Sequence, residues 1–441
     1  MKKSVKVTLS VLLALVIAAA AFAAGYFAAK LTANDAVASY KWFMDVVEKN
    51  YYFGGVDKGY SGEGLSAIAD KYLDAYSEYY TAEEYAETMK SNSGSKSGIG
   101  ISYAYVDGKG IYISSVSGNS PAYMRGLRAG EWLEKGSYDG KETRFESSSD
   151  FQKLVSSAKD NEDIKLTATD GAEYVVYKAE YTASYSYFCT NNTAWIFKDS
   201  ADGGLALYEE PQEKIKELPD GVGYIRLSQF YGTAAAEFYK LAEKFNAYGC
   251  TSLVLDLRSN GGGYVSVMQN IAGSFANGER KPAMYSSDKR GNMTQFDCAK
   301  INKAEYRIPS DTTVYALANS GTASASEALL GAMICYGALE YENIFLSNYS
   351  DEYVAWLKGT GQEVKNERTY GKGIMQSTFV NDATGEALKL TTAKIFWPDG
   401  KTCIHDRGIT LADGCVSVNA AWQHTKGDEE LKSVLEKIKS E

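Results

Sequence analysis

Val254-Leu255-Asp256-Leu257-Arg258-Ser259-Asn260-Gly261-Gly262-Gly263 is the stretch that says most about the fold. Its apolar first half predicts a buried strand, and the three glycines predict a tight turn at the strand end. Glycine lets the backbone point its N–H groups into open space, as a site for a negatively charged oxygen requires. A flexible turn without a function is the commoner meaning of such a run.

Strands and helices alternate on both sides of this stretch. The apolar patterns predict strands over 222–227, 252–257 and 313–317 and helices over 234–248 and 324–336. Such alternation is typical of a layered α/β domain. We assign residues 220–425 to that domain and residues 426–441 to a C-terminal helix.

Thr322-Ala323-Ser324-Ala325-Ser326-Glu327 stands where the third of these strands gives way to a helix. The first turn of a helix has unpaired N–H groups and a positive dipole end, which favour a developing oxyanion. Ser324 or Ser326 would equally serve as a helix cap, with Glu327 in the first turn.

The chain has two histidines, His405 and His424, so a Ser-His-Asp hydrolase would have to use one of them. A serine activated by a neutral lysine needs neither. Lys372 lies between two glycines, and Gln376 follows four positions later. An exposed lysine is protonated at neutral pH, whereas burial favours the neutral amine. A solvated loop lysine is the alternative interpretation.

The part of the chain before the α/β domain divides into three regions. We predict a helical region over 34–97, with helices over 35–48, 65–80 and 82–89 and a Ser/Gly linker over 91–97. Short strands begin at Gly98-Ile99-Gly100-Ile101 and continue to about Tyr181, with a short helix opening at Ser120-Pro121-Ala122. Residues 182–219 are poorly patterned and are interpreted as a connector with one or two strands.

The N-terminus carries an export signal. Lys2, Lys3 and Lys6 precede the uncharged run 9–29, which is long enough to span a bilayer as a helix. The positive flank predicts a cytoplasmic N-terminus and an exported remainder. We favour a membrane anchor over 1–33, and a cleaved signal peptide, which would leave a secreted protein, is the alternative.

Composition excludes several classes of protein. The formal net charge is −10 and there is no Lys/Arg block, which argues against a nucleic-acid partner. Six scattered cysteines without a C-x-x-C pair, together with two histidines, argue against a structural metal site and a disulfide framework. One bridge between distant cysteines stays open. We expect no metal and no cofactor.

From about Asp74 to Asp413 the chain resembles the carboxyl-terminal processing (tail-specific) peptidases, which are PDZ-containing Ser/Lys serine endopeptidases. The similar segments are the glycine turn, Thr322 to Glu327, Tyr370 to Gln376, the Ser120-Pro121-Ala122 helix, and flanking motifs such as Asp74-Ala75-Tyr76-Ser77 and Pro398-Asp399-Gly400. The resemblance implies a PDZ-like β domain over 98–181 and a ClpP/crotonase-like α/β protease core.

The resemblance also implies the roles of individual residues. Ser324 is the nucleophile, Lys372 the general base and acid, and Gln376 the partner that orients the lysine. The amides of Gly262, or an immediate neighbour, and Ala325 form the oxyanion hole. The backbone N–H groups of the segment Gly98-Ile99-Gly100-Ile101 bind the terminal carboxylate of a peptide.

The implied substrates are exported polypeptides with unstructured C-terminal tails, which a serine-type endopeptidase would cleave near those tails. The chain departs from the family in the long spacing between Ser324 and Lys372, where residues 347–368 are interpreted as an added loop or lid. A catalytically inactive, PDZ-bearing scaffold protein is the rival interpretation. The oligomeric state stays open, with a homo-oligomer among the alternatives.

Overall fold

The structure is a computed structural model that describes residues 37–54, 64–211, 218–351, 353–355, 364–420 and 428–441. The apolar run 9–29, predicted to be a membrane helix, lies outside these residues. Among the residues that are described, no helix is both long and apolar enough to cross a bilayer.

The helices are numbered in chain order. They are α1 (37–50), α2 (Leu65–Tyr72), α3 (Ala82–Asn92), α4 (Pro121–Met124), α5 (Ser148–Ser157), α6 (Ala234–Ala247), α7 (Val265–Gly273), α8 (Ala325–Tyr336) and α9 (Glu429–Ser440). Short 3-10 helices cover Ala304–Tyr306, Tyr341–Asn343 and Leu411–Asp413.

The strands are numbered in the same way. They are β1 (Glu78–Tyr80), β2 (Ser95–Gly98), β3 (Ile101–Val106), β4 (Gly110–Val116), β5 (Trp132–Tyr138), β6 (Lys141–Arg144), β7 (Ile164–Ala168), β8 (Glu173–Val176), β9 (Ala179–Thr182), β10 (Ser186–Cys189), β11 (Thr193–Asp199), β12 (Leu205–Pro211), β13 (Val222–Leu227), β14 (Ser252–Asp256), β15 (Pro282–Asp288), β16 (Met293–Asp297), β17 (Thr313–Ala318), β18 (Ile344–Tyr349), β19 (Ile374–Val380), β20 (Ala387–Phe396) and β21 (Val416–Ala420). The chain is thus a mixed α/β protein with several sheets, as predicted.

The chain forms two compact units. The smaller contains residues up to 86 together with 376–392, and the larger contains 87–375 together with 393–441. In the smaller unit, apolar side chains of α1 and α2 pack with Leu388 and Leu390 of β20.

The predicted helix over 65–80 is wrong in its second half, because α2 ends at Tyr72 and β1 follows. Between them Asp74 accepts a hydrogen bond from the N–H of Tyr76 at 2.8 Å. An Asp side chain that bonds the backbone two residues later stabilises a turn and so competes with helix. The described residues of the region over 34–97 are therefore mainly helical, with β1 and β2 as additions.

The first part of the larger unit is built around a six-stranded antiparallel sheet in the order β3-β4-β5-β7-β8, with β6 beside β5. Helices α4 and α5 lie within this region, and α5 contributes Phe151 and Leu154 to an apolar core shared with β4, β5 and β7. Strands β2 and β9 pair with each other and bracket the region. A β-rich region over 98–181 is thus observed, with a core of its own.

The second part of the larger unit contains an eight-stranded sheet in the order β12-β11-β10-β13-β14-β17-β18-β21. Strands β13, β14, β17, β18 and β21 are parallel. Helices α6, α7 and α8 supply most of the apolar residues on one face, and α9 packs with the other face. Because the carboxyl ends of parallel strands meet at one edge, the loops after β14 and β17 are neighbours.

The interpretation of residues 182–219 as a connector is wrong. Strands β10, β11 and β12 all lie in this stretch and form one end of the eight-stranded sheet, with β10 antiparallel to β13. Phe188 and Cys189 on β10 and Ile196 and Phe197 on β11 are buried, whereas Asp199 at the end of β11 is exposed. An antiparallel strand at the end of a sheet needs only one apolar face, so its sequence signal is weak.

Candidate active site

Two loops meet at the edge of the eight-stranded sheet, namely the glycine turn (259–263) after β14 and the nucleophile loop (319–324) after β17. The N–H of Ser259 donates to Oδ1 of Asn319 at 2.8 Å. The carbonyl oxygen of Asn260 accepts from the N–H of Ala323 at 3.0 Å and from Oγ of Ser326 at 2.9 Å. These bonds hold the two loops in a fixed relation.

Ser324 lies directly before α8 and has φ of 57° and ψ of −115°. A positive φ costs a non-glycine residue about 1–3 kcal/mol and persists only where the surroundings impose it. Here the flanking Ala323 and Ala325 are buried while Ser324 is partly exposed. Strained residues of this kind cluster at functional sites.

The glycine turn packs against Ser324, the predicted nucleophile. Gly262 has φ of 96°, and a Cβ atom at this position would lie 2.9 Å from both the Cβ of Ser324 and the backbone nitrogen of Ala325. Only glycine fits such a close approach. The structure therefore brings together the two residues predicted to form the oxyanion hole.

The N–H groups of Ala325 and Gly262, the two predicted oxyanion donors, differ in whether they already donate a hydrogen bond. The N–H of Ala325 donates no hydrogen bond to any described residue. The N–H of Gly262 donates to Oδ1 of Asn260 at 3.0 Å. The sequence alone gave Asn260 no role in the site. Its role could not be predicted because it depends on contacts with distant segments. The role of Gly262 as a donor stays a prediction.

Glu327 connects the backbones of Ser324 and Lys372. Its side chain is fully buried, and Oε2 accepts from the backbone N–H of Ser324 at 3.0 Å and of Lys372 at 2.9 Å. Oε1 accepts from Oγ1 of Thr369 at 2.5 Å and from the N–H of Gly371 at 2.8 Å. The backbones of Ser324 and Lys372 are thus bound to one oxygen atom.

The environment of Glu327 suits an ionised carboxylate. Burial raises the pKa of its carboxyl above the ordinary value, and the hydrogen bonds from Thr369, Gly371, Lys372 and Ser324 act in the opposite direction. All four groups are donors, so an ionised carboxylate satisfies them and a protonated one would lose an acceptor site. The sequence placed Glu327 in the first helical turn, which is confirmed, but gave no sign of its contact with residues 369–372.

Lys372 lies in the lysine segment (369–373), directly before β19. The segment is also tied to the nucleophile loop by the N–H of Tyr370, which donates to the carbonyl oxygen of Thr322 at 3.0 Å. Lys372 is half-buried, and its two flanking glycines are buried. A Cβ on Gly373 would lie 2.6 Å from the backbone nitrogen of His405, so glycine allows the close packing here.

His405 therefore lies beside the lysine segment. Its Nδ1 atom is buried and has no hydrogen-bond partner among the described residues. His424 lies outside the described residues. No hydrogen bond joins His405 to Ser324 within the described part of the chain, so this arrangement does not form a Ser-His pair.

Gln376 lies on β19 and belongs to the smaller unit. Its Nε2 atom donates to Oγ1 of Thr391 at 2.9 Å. This bond leaves the carbonyl oxygen of the side chain as an acceptor. Its predicted role as the partner that orients Lys372 stays a prediction.

The segment Gly98-Ile99-Gly100-Ile101 forms the N-terminal glycine loop between β2 and β3. Gly98 and Gly100 have φ of 121° and 83°, and a Cβ on Gly100 would lie 2.1 Å from the Cβ of Ser120. The carbonyl oxygen of Ile99 accepts from the N–H of Ala122 at 2.9 Å. The N–H groups of Ile99 and Gly100 donate to none of the described residues.

The six cysteines all lie in the described residues and are free. The bridge left open by the sequence is therefore not formed. The described part of the chain holds no group of three or more His, Cys, Asp or Glu side chains arranged to bind a metal ion.

Comparisons with known proteins agree with this geometry. The model of peptidase family S41 matches residues 221–338, which contain the glycine turn, the nucleophile loop and α8. A probable CtpA-like serine protease of Staphylococcus haemolyticus is 27% identical over 361 residues, which cover 82% of this chain and 61% of that protein. The chloroplastic C-terminal processing peptidase of Tetradesmus obliquus is 26% identical over 338 residues, covering 76% of this chain and 63% of that protein.

The chain thus spans less than two thirds of the length of these two relatives. Among solved structures, a protein of Bacteroides fragilis assigned to the S41 proteases superimposes with a TM-score of 0.56 and 14% identity, covering 90% of this chain and 97% of that one. At this identity the similarity concerns the fold alone. Residues 221–338 are therefore similar to peptidase family S41, and the two relatives with similar sequences are named as a CtpA-like serine protease and a C-terminal processing peptidase.

Proposed function

We propose that the chain is a serine endopeptidase of the carboxyl-terminal processing type, with Ser324 as nucleophile and Lys372 as general base and acid. One observation carries the proposal. The Glu327 carboxylate binds the backbone N–H groups of Ser324 and Lys372 beside an N–H of Ala325 that is not engaged with any described residue.

In the proposed reaction Oγ of Ser324 attacks the carbonyl carbon of the scissile peptide bond and Lys372 takes its proton. The negative charge on the carbonyl oxygen is stabilised by the N–H of Ala325, with Gly262 as the second proposed donor. Lys372 then gives the proton to the leaving amine. Water cleaves the acyl-enzyme in a second round of the same proton transfers.

Residues 98–181 would act as the PDZ-like domain that selects the substrate. The N–H groups of Ile99 and Gly100 suit a free α-carboxylate, since two successive backbone donors form an anion-binding concavity. A β-rich region with its own core supports this role. The substrates would be polypeptides with unstructured C-terminal tails.

The location is proposed from the sequence. The run 9–29 after Lys2, Lys3 and Lys6 would anchor the protein in a membrane with its catalytic domain exported. Cleavage of that run would give a secreted enzyme instead.

The test of the chemistry compares single variants on an unfolded test protein. Ser324→Ala should abolish cleavage and leave the fold intact, because only the hydroxyl is lost. Ser320→Ala, in the same loop, is the matched control and should retain activity. Lys372→Arg should be inactive, since a guanidinium stays protonated and cannot accept the proton.

Full activity in purified Ser324→Ala or Lys372→Arg would refute the Ser/Lys mechanism. The rival function is that of a peptide-binding scaffold. It would be favoured if the wild-type protein bound tail peptides but did not cleave them under any condition in which it is folded.

A further inference from the structure

A buried ionic cluster surrounds Arg258, the residue directly before the glycine turn. At its centre Arg258 is fully buried, and its guanidinium donates to both carboxylate oxygens of Asp428 at 2.8 and 2.7 Å and to Glu430 at 2.6 Å. It also donates to Asp256 at 3.0 and 2.7 Å. Asp256 in turn accepts from Arg226 at 2.8 Å.

This cluster joins distant parts of the chain. Asp428 and Glu430 are 170 and 172 positions away from Arg258 and stand at the start of α9. Asp428 is also the N-cap of α9, where its Oδ1 accepts from the N–H of Leu431 at 3.0 Å. Because α9 buries Leu431 and other apolar side chains with the sheet, its first turn is a fixed platform for the two carboxylates.

Arg258 is directly connected to the glycine turn. It precedes Asn260 by two residues, and the side chain of Asn260 holds the N–H of Gly262 while its carbonyl holds the N–H of Ala323. Between them Ser259 has a positive φ of 58°, which its surroundings must enforce. A single residue therefore separates Arg258 from Asn260, whose side chain holds the turn.

The opposite charges of Arg258 and its three carboxylate partners explain why the guanidinium stays buried. Burial opposes the charge on Arg258, but the carboxylates of Asp256, Asp428 and Glu430 hold its pKa well above the ordinary value. Although burial acts against it, the guanidinium lowers the pKa of Asp428 to about 2. A buried arginine without these carboxylates would be an uncompensated charge and would have to move toward water.

We propose that Asp428 and Glu430 are positioning residues for the proposed reaction, which act through Arg258 to hold the oxyanion site on the glycine turn in its productive geometry. The inference rests on the proposed function for its effect on rate. The structural part of the inference is that α9 holds the glycine turn in place, and this part does not depend on catalysis.

The experiment uses the full chain with Asp428→Asn. Asparagine keeps the N-cap of α9 but removes the charge. The variant should lower kcat by about 10- to 100-fold, as a small displacement of reacting groups does, with KM within about twofold of the wild type. Glu429→Gln is the matched control, because Glu429 lies in the same helical turn but is exposed and pairs with Lys432.

Hydrogen exchange supplies the readout that does not require activity. In Asp428→Asn the amides of Gly262 and Ala323 should exchange faster than in Glu429→Gln, whereas the amide of Ile225 within the sheet should not change. If the wild-type protein shows no peptidase activity, the proposed function fails and the exchange rates still decide the coupling.

Glu430→Gln is the second variant. It removes one carboxylate and leaves the contacts of Asp428 in place. The same measurements can therefore be made on this variant if Asp428→Asn does not fold. A folded variant with kcat within twofold of the control and unchanged exchange at Gly262 and Ala323 would overturn the inference. A general acceleration of exchange that includes Ile225 would also overturn it, since the cluster would then stabilise the fold as a whole.

Discussion

The glycine turn (259–263) and the N-terminal glycine loop (98–101) were both predicted to bind a negatively charged oxygen through backbone N–H groups, yet they are built differently. In the glycine turn the N–H of Gly262 is already held by Asn260, and the turn is bonded to the nucleophile loop. In the N-terminal glycine loop the N–H groups of Ile99 and Gly100 bind none of the described residues.

The difference follows from the charge that each would meet. An oxyanion exists only during the reaction, so its site must be fixed in advance by neighbouring groups. A terminal carboxylate arrives with its charge and can organise the N–H groups that receive it. Changes at the glycine turn should therefore reduce the rate, and changes at the N-terminal glycine loop should reduce affinity.

The largest effect is expected for Gly262→Ala. The added Cβ would lie 2.8 Å from the carbonyl oxygen of Ala323 and 2.9 Å from the nitrogen of Ala325, in a backbone conformation with positive φ. We expect kcat to fall by about 100-fold or more, the loss typical of a damaged oxyanion site. Steady-state kinetics with one protein substrate would measure it.

Gly261→Ala is the control, because a Cβ at that position meets no atom within 4 Å and φ is not positive. Equal rates in the two variants would show that the close approach at Gly262 does not matter for catalysis.

Glu327→Gln should have the next largest effect, on stability as well as rate. An amide nitrogen cannot accept hydrogen bonds, so donors among Ser324, Thr369, Gly371 and Lys372 would be left unpaired in a buried site. Each such loss costs about 1–3 kcal/mol, and we expect the free energy of unfolding to fall by at least that much. Urea unfolding measures it, and unchanged stability would contradict the assigned contacts.

The same carboxyl predicts a dependence on pH. Burial raises the pKa of Glu327, so the side chain takes up a proton at a higher pH than a surface carboxyl does. Only the ionised form accepts all four hydrogen bonds, and activity should therefore decline as the pH falls through the raised pKa, by about tenfold per pH unit below it. The residual activity of Glu327→Gln should lack the part of the decline that the carboxyl causes and keep only the part caused by protonation of Lys372. An identical profile in both proteins would assign the whole decline to another group.

The smallest effect is expected for Gly100→Ala, which tests the N-terminal glycine loop. Its Cβ would collide with Ser120, whereas Gly108→Ala introduces the same positive-φ strain with no atom within 4 Å. Loss of charge-assisted hydrogen bonds should weaken the affinity for a free-acid tail peptide by about tenfold, with kcat on a short peptide unchanged.

Calorimetric titration in the Ser324→Ala background compares free-acid and amidated versions of one peptide. Equal affinities for the two peptides would show that the loop does not recognise the carboxylate, and the Ser/Lys chemistry would be unaffected.

Local patterns were enough to predict the core of the fold. Strand β13 has the predicted bounds, and α8 begins directly after Ser324, because a run of apolar residues and a helix start are encoded in a few neighbouring positions. The same is true of the glycine turn. Segment 182–219 contains more strands than predicted, because β11 ends in Lys198 and Asp199 and β12 in Glu209, Glu210 and Pro211, and such polar strand ends are typical of loops.

Contacts between residues far apart in the chain could not be predicted from the sequence. Glu327 looked like an ordinary first-turn residue, and its partners Thr369 and Lys372 lie 42 and 45 positions away. Asp428 lies in the predicted C-terminal helical region over 426–441, but its pairing with Arg258 depends on how α9 returns to the sheet. Such contacts require the packed structure, because no spacing rule relates residues on separate elements.

The smaller unit is assembled from two segments that lie far apart in the sequence. Phe43 and Ile68 are buried with Leu388 and Leu390, and Oγ of Ser39 donates to Glu386 across 347 positions. Contacts of such high sequence separation form late, because the intervening chain must first be closed into a loop. During synthesis the N-terminal helices emerge early and have to wait for β20 before their apolar faces are covered. Until β20 has been made, the apolar faces of these helices have no partner from that strand, and exposed apolar surface of this kind favours aggregation.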